Sequence, residues 1–240
     1  MLKNRFRRGI LIIAFIICGI LFFAFASDDY FNSGLPSNEI KATYICAIFA
    51  LILTLFLFDT LFDKSGESFL PNLFLVLATG LTVAADMFLI FNIHPIIGVI
   101  IFIVAQVAHT TRLFILAHKE FRYLVFSIAA RLLLGTITLL ILHINGQNDP
   151  ITTLAGYYAV NLIMNFIEPT ILIFFNKEKR LQLILISGAF FLFIGCDLFV
   201  GLNFLGISNA YRPIWSFYAP CQFLFFLSAY FSSSLESNNA

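Results

Sequence analysis

The sequence predicts an all-α protein: a polytopic membrane helix bundle of about eight transmembrane helices, forming a single integral membrane domain over residues 1–240. The chain is 60% hydrophobic and only 11% charged, whereas soluble domains are about half apolar and about one quarter charged. About eight stretches meet or approach the roughly 20 apolar residues that a helix needs to cross a bilayer. Prolines and polar residues separate these stretches, as they do at helix boundaries.

The predicted helices follow one another along the chain with short connections. They cover residues 10–26, 40–62, 71–91, 95–117, 122–144, 152–175, 181–204 and 214–232, and the first and last are the shortest. A proline is tolerated at a helix start because its missing N–H needs no partner there. Five prolines stand at or just before a predicted start: Pro36, Pro71, Pro95, Pro150 and Pro213.

The first segment is open to two interpretations. Basic residues at positions 3–8, an apolar run and the small-residue pattern Ala24-Phe25-Ala26 before Ser27 have the form of a cleavable signal peptide. The apolar run is longer than a usual signal core, so we expect the segment to be retained as a helix. Cleavage would leave seven spans and place the new N-terminus outside.

Basic residues divide unequally between the two sides of the predicted bundle. One side carries ten of them: Lys3, Arg5, Arg7, Arg8, Lys64, Lys119, Arg122, Lys177, Lys179 and Arg180. The opposite side carries only Lys41 and Arg212. Because short cytoplasmic loops are enriched in Lys and Arg, we expect an integral protein of the plasma membrane with both termini in the cytoplasm.

Composition and motifs exclude several classes of function. The net charge is +1, so we expect no nucleic-acid partner. The four cysteines lie inside apolar runs without a CxxC pair, which indicates neither a disulfide framework nor a thiolate zinc site. No HExxH, GxSxG or glycine-rich phosphate loop occurs. We therefore expect no cofactor and no metal; the oligomeric state stays open.

Two aspartates lie inside the apolar stretches. Asp86 stands within residues 81–90 and Asp197 within residues 192–199. A charged Asp in hydrocarbon costs about 2.5–3.5 kcal/mol, so intramembrane acids usually have a function. The two stretches match weakly when the aspartates are aligned, which predicts a parallel repeat of segments 3–4 and 7–8. Both acids would then lie toward the outer end of the bundle.

Other polar side chains share helical faces with each other. His109 stands between Gln106 and Arg112 on segment 4, and segment 5 contributes Arg131. Segment 6 carries Asn161, Asn165 and Glu168, and segment 8 carries Tyr218 and Gln222. We expect these groups to line one polar cavity between segments 3, 4, 6, 7 and 8. The alternative is that they are interhelical hydrogen bonds and structural ion pairs, for example between an aspartate and Arg131.

The chain resembles the YhhN-like family of membrane proteins, which includes the lysoplasmalogenases. The resemblance covers roughly residues 71–232. It lies in residues 80–89, in Gly98, Phe102 and His109, in Tyr157-Tyr158, in residues 188–198 and in Tyr218 to Gln222. Four positions depart from the family pattern: Ala85, Cys196, Arg112 and the separation of Lys64 from Pro71.

The resemblance implies hydrolysis of the vinyl ether bond of lysoplasmalogen to a fatty aldehyde and a glycerophospho-head group. Asp86 and Asp197 would divide the work, one protonating the vinyl ether and the other stabilising the cation that forms. His109 would act with them. The remaining groups would orient water, the carboxylates or the lipid phosphate: Gln222, Tyr218, Asn161, Arg112 and Arg131.

Two other functions remain open at this level. A multi-pass transporter or lipid-binding membrane protein would also place proton-linked acids in its membrane helices. A metal-dependent membrane hydrolase could use Asp86, His109 and Asp197 as ligands, although only one histidine lies deep in a predicted span.

Overall fold

The apolar stretches of the sequence form α-helices in the computed structural model of the protein, which describes residues 2–31, 33–62, 69–117, 121–147 and 149–231. Within these ranges the helices are α1 (Leu2–Phe31), α2 (Ser37–Phe62), α3 (Phe69–Ile90), α4 (Pro95–Leu116), α5 (Phe121–Ile144), α6 (Pro150–Phe175), α7 (Arg180–Phe204) and α8 (Tyr211–Tyr230). The described residues include no strand. The predicted all-α fold class is confirmed, and each predicted segment overlaps one helix.

Seven of the described helices, α1 to α7, are long and apolar enough to cross a membrane. Their outer faces carry large exposed side chains such as Phe23, Phe126 and Phe174, each more than 70% exposed. In water so much exposed apolar surface would be a liability, whereas lipid accommodates it. The protein is therefore an integral membrane protein, a helix bundle that spans the bilayer several times.

The last helix differs from the other seven because it lies inside the bundle. α8 packs against α1, α2, α3 and α7, and its polar and tyrosine side chains lower its hydropathy. The Tyr30 hydroxyl at the end of α1 lies 3.1 Å from Ser216 Oγ at the start of α8. The Arg7 guanidinium at the start of α1 donates to the main-chain carbonyl of Tyr230 at the end of α8. α8 therefore runs through the same depth of the bundle as α1.

Successive helices run up and down, so the molecule has two distinct ends. We call the end with the α3–α4 and α7–α8 connections, residues 91–94 and 205–210, the hairpin end. The opposite end, where α1 begins, is the N-terminal end. The most extensive helix pairs are α3 with α4 and α7 with α8. These two pairs are the halves of the predicted parallel repeat. The repeat stays a prediction, because it rests on the weak match of the two sequence stretches.

α1 is the longest helix, not one of the shortest as predicted, because it continues through the basic residues before its apolar run and through residues 27–31 after it. A buried ion pair holds its start: Arg7 Nη1 lies 2.6 Å from Asp59 Oδ1 on α2. Its end is held by a second ion pair to the first turns of α2, where Lys41 Nζ lies 2.7 Å from Asp29 Oδ1. α1 therefore packs as one of the outer helices of the bundle, and its retention in the mature protein stays a prediction.

Glycine allows the two helices of each hairpin pair to approach closely. A Cβ on Gly98 would lie 2.9 Å from Leu89 Cγ and 3.2 Å from the Ala85 carbonyl oxygen, and a Cβ on Gly195 would lie 2.6 Å from the Phe217 ring. Contacts this short would force the neighbouring atoms apart. Each glycine thus brings a partner helix close to the segment that carries an aspartate.

Some predictions fall on parts of the chain outside the described residues. These are the basic residues Lys64 and Lys119, the side chain of Lys3 and the last position of the predicted span 214–232.

Candidate functional site

Asp86 lies on the buried face of α3, one turn from the hairpin end. Its carboxylate accepts a hydrogen bond from the Tyr218 hydroxyl of α8, and both residues are buried, at 6% and 3% exposure. The Tyr218 ring is held in turn by Trp215 and Phe193, whose ring centroids lie 5.1 and 5.5 Å away. The carboxylate therefore has a fixed partner in an aromatic environment.

Asp197 on α7 has a corresponding arrangement. The Tyr158 hydroxyl of α6 lies within hydrogen-bonding reach of its carboxyl group. The other carboxyl oxygen, Oδ2, is buried and has no hydrogen-bond partner. A buried polar atom without a partner is costly. This oxygen is thus a position where a water molecule or a substrate hydroxyl would be stabilised.

The fold brings the two aspartates together although 110 positions separate them in sequence. They lie close enough to interact electrostatically, with the buried thiols of Cys196 and Cys221 beside both of them. We call this group of six side chains the aspartate cluster: Asp86, Asp197, Tyr158, Tyr218, Cys196 and Cys221. Two carboxyls, two phenols and two thiols thus lie in one apolar setting, and none of the ion pairs among the described residues involves either aspartate.

His109 lies apart from this cluster. A Cβ on Gly98 would contact the carbonyl oxygen of Ala85. Gly98 of α4 therefore lies at the same depth in the bundle as Asp86 of α3. His109 is eleven positions farther along α4, about 16 Å at 1.5 Å per residue, whereas its neighbours Phe190 and Phe225 are each seven positions, about 10 Å, from Asp197 and Tyr218. The His109 ring therefore lies about 10–16 Å deeper than the aspartates. Its ring stacks on Phe225 at 4.4 Å and meets Phe190 edge-on at 5.3 Å. The expectation that His109 acts together with the aspartates is not supported by this position.

Gln222 lies between these two levels. It follows Tyr218 by one turn of α8, about 6 Å along the axis, and is 3% exposed. Its Nε2 is buried without a hydrogen-bond partner. Gln222 therefore keeps a free donor next to the aspartate cluster, as a water-orienting or substrate-orienting residue requires.

A second polar group, which we call the arginine cluster, lies at the N-terminal end. Arg112 Nη2 donates to Ser228 Oγ of α8 at 2.9 Å, and Gln182 Nε2 of α7 donates to the Ser228 carbonyl at 3.1 Å. Ser228 is ten positions from Tyr218, about 15 Å along α8. Phe102, Phe190, Phe193 and Phe225 fill the space between the two clusters.

A third polar group joins α4, α5 and α6 at the side of the bundle. Arg131 Nη2 lies 3.0 Å from Glu168 Oε2 and 3.0 Å from Asn165 Oδ1. Its Nη1 donates to the Asn161 carbonyl at 3.1 Å and its Nε to Ser127 Oγ at 3.3 Å. Asn165 Nδ2 reaches Gln106 Oε1 at 2.7 Å.

This lateral group changes the interpretation of two predicted residues. The Arg131 guanidinium is bound by the Ser127, Asn165 and Glu168 side chains and by the Asn161 carbonyl. These partners occupy it in place of an aspartate or a lipid phosphate. The Asn161 carbonyl holds Arg131, and its side-chain amide donates to the Tyr157 carbonyl at 3.0 Å. Both residues have structural roles in the described part of the chain. Instead of the predicted single cavity, the polar residues form three separate clusters.

Sequence reasoning missed Tyr158 as a functional residue, although it named the Tyr157-Tyr158 pair. A signal was present, because residues 158, 161, 165 and 168 recur at helical spacing on α6. It also missed Gln182 and Ser228, which are single polar residues near helix ends and carry no periodic signal.

The described residues include no group of three or more His, Cys, Asp or Glu side chains placed to hold a metal ion. Comparisons of the chain with protein-family models, with curated proteins and with solved structures gave no match. The resemblance to the YhhN-like family therefore stays an expectation from sequence motifs, and the case for a function rests on the chemistry of the aspartate cluster.

Proposed function

We propose that the protein is a membrane hydrolase of the lysoplasmalogenase type, a YhhN-like protein that cleaves a vinyl ether by acid catalysis at Asp86 and Asp197. The observation that carries the proposal is that one cluster holds the buried Asp86 carboxyl, which accepts a hydrogen bond from Tyr218, and the half-buried Asp197 carboxyl, which lies near Tyr158. Two carboxyls that interact electrostatically in an apolar setting favour a state in which only one of them is ionised. Such a pair contains both an acid and an anion at neutral pH.

The reaction would use these two states in turn. The protonated carboxyl transfers its proton to the β-carbon of the vinyl ether, which leaves an oxocarbenium ion on the α-carbon. The ionised carboxylate stabilises this cation, as in glycoside hydrolysis. Water adds to the α-carbon and returns a proton to the carboxylate pair. The hemiacetal then breaks its bond to the glycerol oxygen, which takes up the hydroxyl proton, and releases a fatty aldehyde and the glycerophospho-head group.

The surroundings of the cluster suit a lipid substrate. The aromatic side chains between the clusters offer an apolar path for an alkenyl chain that points into the bundle. The vinyl β-carbon and the phosphorus of lysoplasmalogen are seven bonds apart, about 9 Å at full extension. Arg112, about 15–20 Å deeper than the aspartates, is out of reach for the phosphate of the same molecule.

Arg212 is a better candidate for the head group. It lies on the first turn of α8, six positions or about 9 Å before Tyr218. Its guanidinium lies over the Tyr211 ring at 6.0 Å, and its Nε is buried without a partner. Because guanidinium binds phosphate well, we assign the substrate phosphate to Arg212.

The direct test is aldehyde release from lysoplasmalogen by the purified protein in detergent. Asp86→Asn and Asp197→Asn should each lower kcat by at least 100-fold with an unchanged thermal unfolding profile. Arg212→Gln should raise KM with little change in kcat. Wild-type activity in both Asn variants would contradict the carboxylate mechanism. An inactive wild-type protein would contradict lysoplasmalogen as the substrate.

A second candidate is a proton-linked transporter. The observation that favours it is the axial arrangement of two polar clusters, near opposite ends of the bundle, with aromatic side chains between them. Proton-dependent uptake into liposomes without cleavage of the substrate would select this function. The hydrolase is preferred because two carboxyls with phenol partners meet the needs of vinyl ether chemistry without any movement of the helices.

For the location of the protein, we propose the plasma membrane with both termini in the cytoplasm. The excess of Lys and Arg at the N-terminal end supports this orientation. The aspartate cluster would then lie in the outer half of the bilayer.

A further inference from the structure

Arg112 is a buried cation without a counter-charge. It is 1% exposed, the least of any charged residue described. Its Nη2 donates to Ser228 Oγ, but its Nε and Nη1 are buried and have no hydrogen-bond partner. The described carboxylates that form ion pairs are bound to other cations: Asp59 to Arg7, Asp29 to Lys41 and Glu168 to Arg131.

Such an arrangement is unfavourable without a ligand. A charge removed from water is stabilised only if an opposite charge and further hydrogen bonds replace the lost hydration. The carboxylates of the aspartate cluster cannot supply that charge, because they lie about 15–20 Å away along the helices. An anion bound at the guanidinium would supply both the charge and the acceptors.

Gln182 defines the chemistry of that anion further. Its Nε2 donates to the same Ser228 that Arg112 contacts, and its Oε1 is buried without a partner. The site therefore offers unused donors from a guanidinium next to one unused acceptor. The complementary ligand is an anion that also carries an O–H group. A hydrogen phosphate or a phosphate ester with a hydroxyl meets this requirement, whereas chloride and sulfate do not.

The site lies close to the membrane surface. Arg112 is four positions before the end of α4, and Gln182 is two positions after the start of α7. At 1.5 Å per residue the site is about one turn, roughly 6 Å, from the helix ends. The exposed Arg180 and other basic residues of the N-terminal end would raise the local concentration of anions.

We propose that Arg112, Gln182 and Ser228 form a binding site for a phosphate group at the N-terminal end of the bundle. The site is separate from the aspartate cluster and too far from it to hold the phosphate of a substrate cleaved there. It does not depend on the proposed hydrolase activity, and its test measures binding.

The test uses the purified full chain in a phosphate-free detergent buffer. The thermal midpoint is followed during titration with inorganic phosphate, sulfate or chloride at constant ionic strength. Phosphate should raise the midpoint saturably and sulfate and chloride should not. Glycerol 3-phosphate and a dioctanoyl phosphatidic acid are titrated in parallel, because a lipid source predicts that the phosphatidic acid binds more tightly than inorganic phosphate does.

Two variants and one control assign the effect to the site. Arg112→Gln should weaken phosphate binding at least tenfold, and Gln182→Leu should weaken it while reducing the preference for phosphate over sulfate. Arg180→Gln removes an exposed charge at the same end and should leave the affinity within about twofold. Arg112→Met should raise the thermal midpoint in phosphate-free buffer, because it removes an uncompensated buried charge.

Two outcomes would overturn the proposal. One is a wild-type midpoint that phosphate and both phosphate esters leave unchanged, as expected if ordered water alone fills the site. The other is the same saturable stabilisation in Gln182→Leu and in Arg112→Gln as in the wild type. Should Arg112→Gln fail to fold, equilibrium dialysis of radiolabelled phosphate with the wild type and Gln182→Leu decides the question.

Discussion

At the scale of single residues, each aspartate depends on its own tyrosine. The Tyr218 hydroxyl donates to Asp86 and Tyr158 reaches Asp197. A hydrogen bond to a charged group contributes about 1.5–3 kcal/mol, and its loss leaves a buried carboxyl without compensation. The sequence alone is enough to select three of these residues as site candidates, Asp86, Asp197 and Tyr218. Acids and motif residues are conspicuous in apolar runs. The sequence signal for Tyr158 is only its helical spacing with residues 161, 165 and 168, and it is weak because tyrosine is ordinary in a membrane helix.

Removing either hydroxyl should impair catalysis without disturbing the fold. Tyr218→Phe and Tyr158→Phe should each lower kcat for aldehyde release by about 10–100-fold, which corresponds to about 1.4–2.8 kcal/mol. Tyr157→Phe is the matched control, because it removes a phenol next to Tyr158 that is not part of the aspartate cluster. If both cluster variants are as active as Tyr157→Phe, the tyrosines have no part in the chemistry.

At the scale of helices, the lateral polar group fastens α5 to the bundle. α5 packs chiefly against α6 in the described part of the chain, and the Arg131–Glu168 pair lies at that interface with both side chains less than 10% exposed. Breaking a buried pair costs more than removing both partners, since a single substitution leaves one charge alone in an apolar environment. The pair is therefore a structural element that holds α5 in place.

Single substitutions in this pair should destabilise the protein strongly. Arg131→Met and Glu168→Leu should each lower the free energy of unfolding by about 3–5 kcal/mol, and the double variant should lose much less than their sum. Reversible unfolding in mixed SDS micelles measures these values. Thr136→Val on the same helix is the control, because the Thr136 hydroxyl only donates to its own helix at Leu132. Additive losses in the double variant would contradict the pairing.

The start of α6 provides a pH dependence outside the membrane spans. Asp149 caps the helix and accepts hydrogen bonds from the Thr152 and Ile151 amides, both at 3.0 Å. The hydrogen bonds from Thr152 hold the pKa of Asp149 below its ordinary value. A carboxyl with a lowered pKa stabilises the folded state above the pKa of the unfolded chain. That stabilisation is lost as the pH falls through the lowered value.

The Asp149→Asn variant should isolate this effect. Asparagine caps a helix about as well as aspartate, so the thermal midpoints of wild type and variant should agree near pH 4 to 5, apart from a small charge effect. The ordinary pKa of aspartate is about 4. Below that pH, the thermal midpoint of the wild type should fall more steeply than that of the variant. Parallel midpoint curves between pH 2.5 and 6 would show that the cap contributes no pH dependence.

At the scale of the whole molecule, function depends on which side of the membrane each cluster faces. The aspartate cluster lies toward the hairpin end and the arginine cluster toward the N-terminal end. In the orientation that we propose from the Lys and Arg excess, the N-terminal end faces the cytoplasm. A substrate would then reach the aspartates from the outer leaflet, and a phosphate would reach Arg112 from the cytoplasm.

Cysteine labelling can determine this orientation. Ser208→Cys lies in the exposed α7–α8 connection and Glu178→Cys in the exposed α6–α7 connection. A membrane-impermeant maleimide should label the Ser208→Cys variant in intact cells and the Glu178→Cys variant only after permeabilisation. The wild type, whose four native cysteines lie within helices, reports the background. The reverse labelling pattern would invert the topology and the direction of access to both clusters.

The membrane class, the helices with their approximate ends and the two conspicuous aspartates all follow from the order of the amino acids alone. Hydrocarbon leaves a spanning backbone few alternatives to the helix, because each N–H and C=O needs a partner within its own segment. Buried acids stand out in such a background. The eight apolar stretches therefore predict the helical bundle, even for α8, which the tertiary structure places among the other helices.

Only the tertiary structure decided how the polar residues are grouped. Helical periodicity shows that a residue faces inward, but not which neighbour it meets or at what depth. Helix packing placed Tyr158 beside Asp197 and stacked His109 on Phe225, about 10–16 Å deeper than the aspartates. It also gave Arg131 an ion-pair partner, Glu168, while Arg112 kept two donor atoms without a hydrogen-bond partner. The physical reason is that these contacts join helices distant in sequence, so their geometry arises only when the bundle assembles.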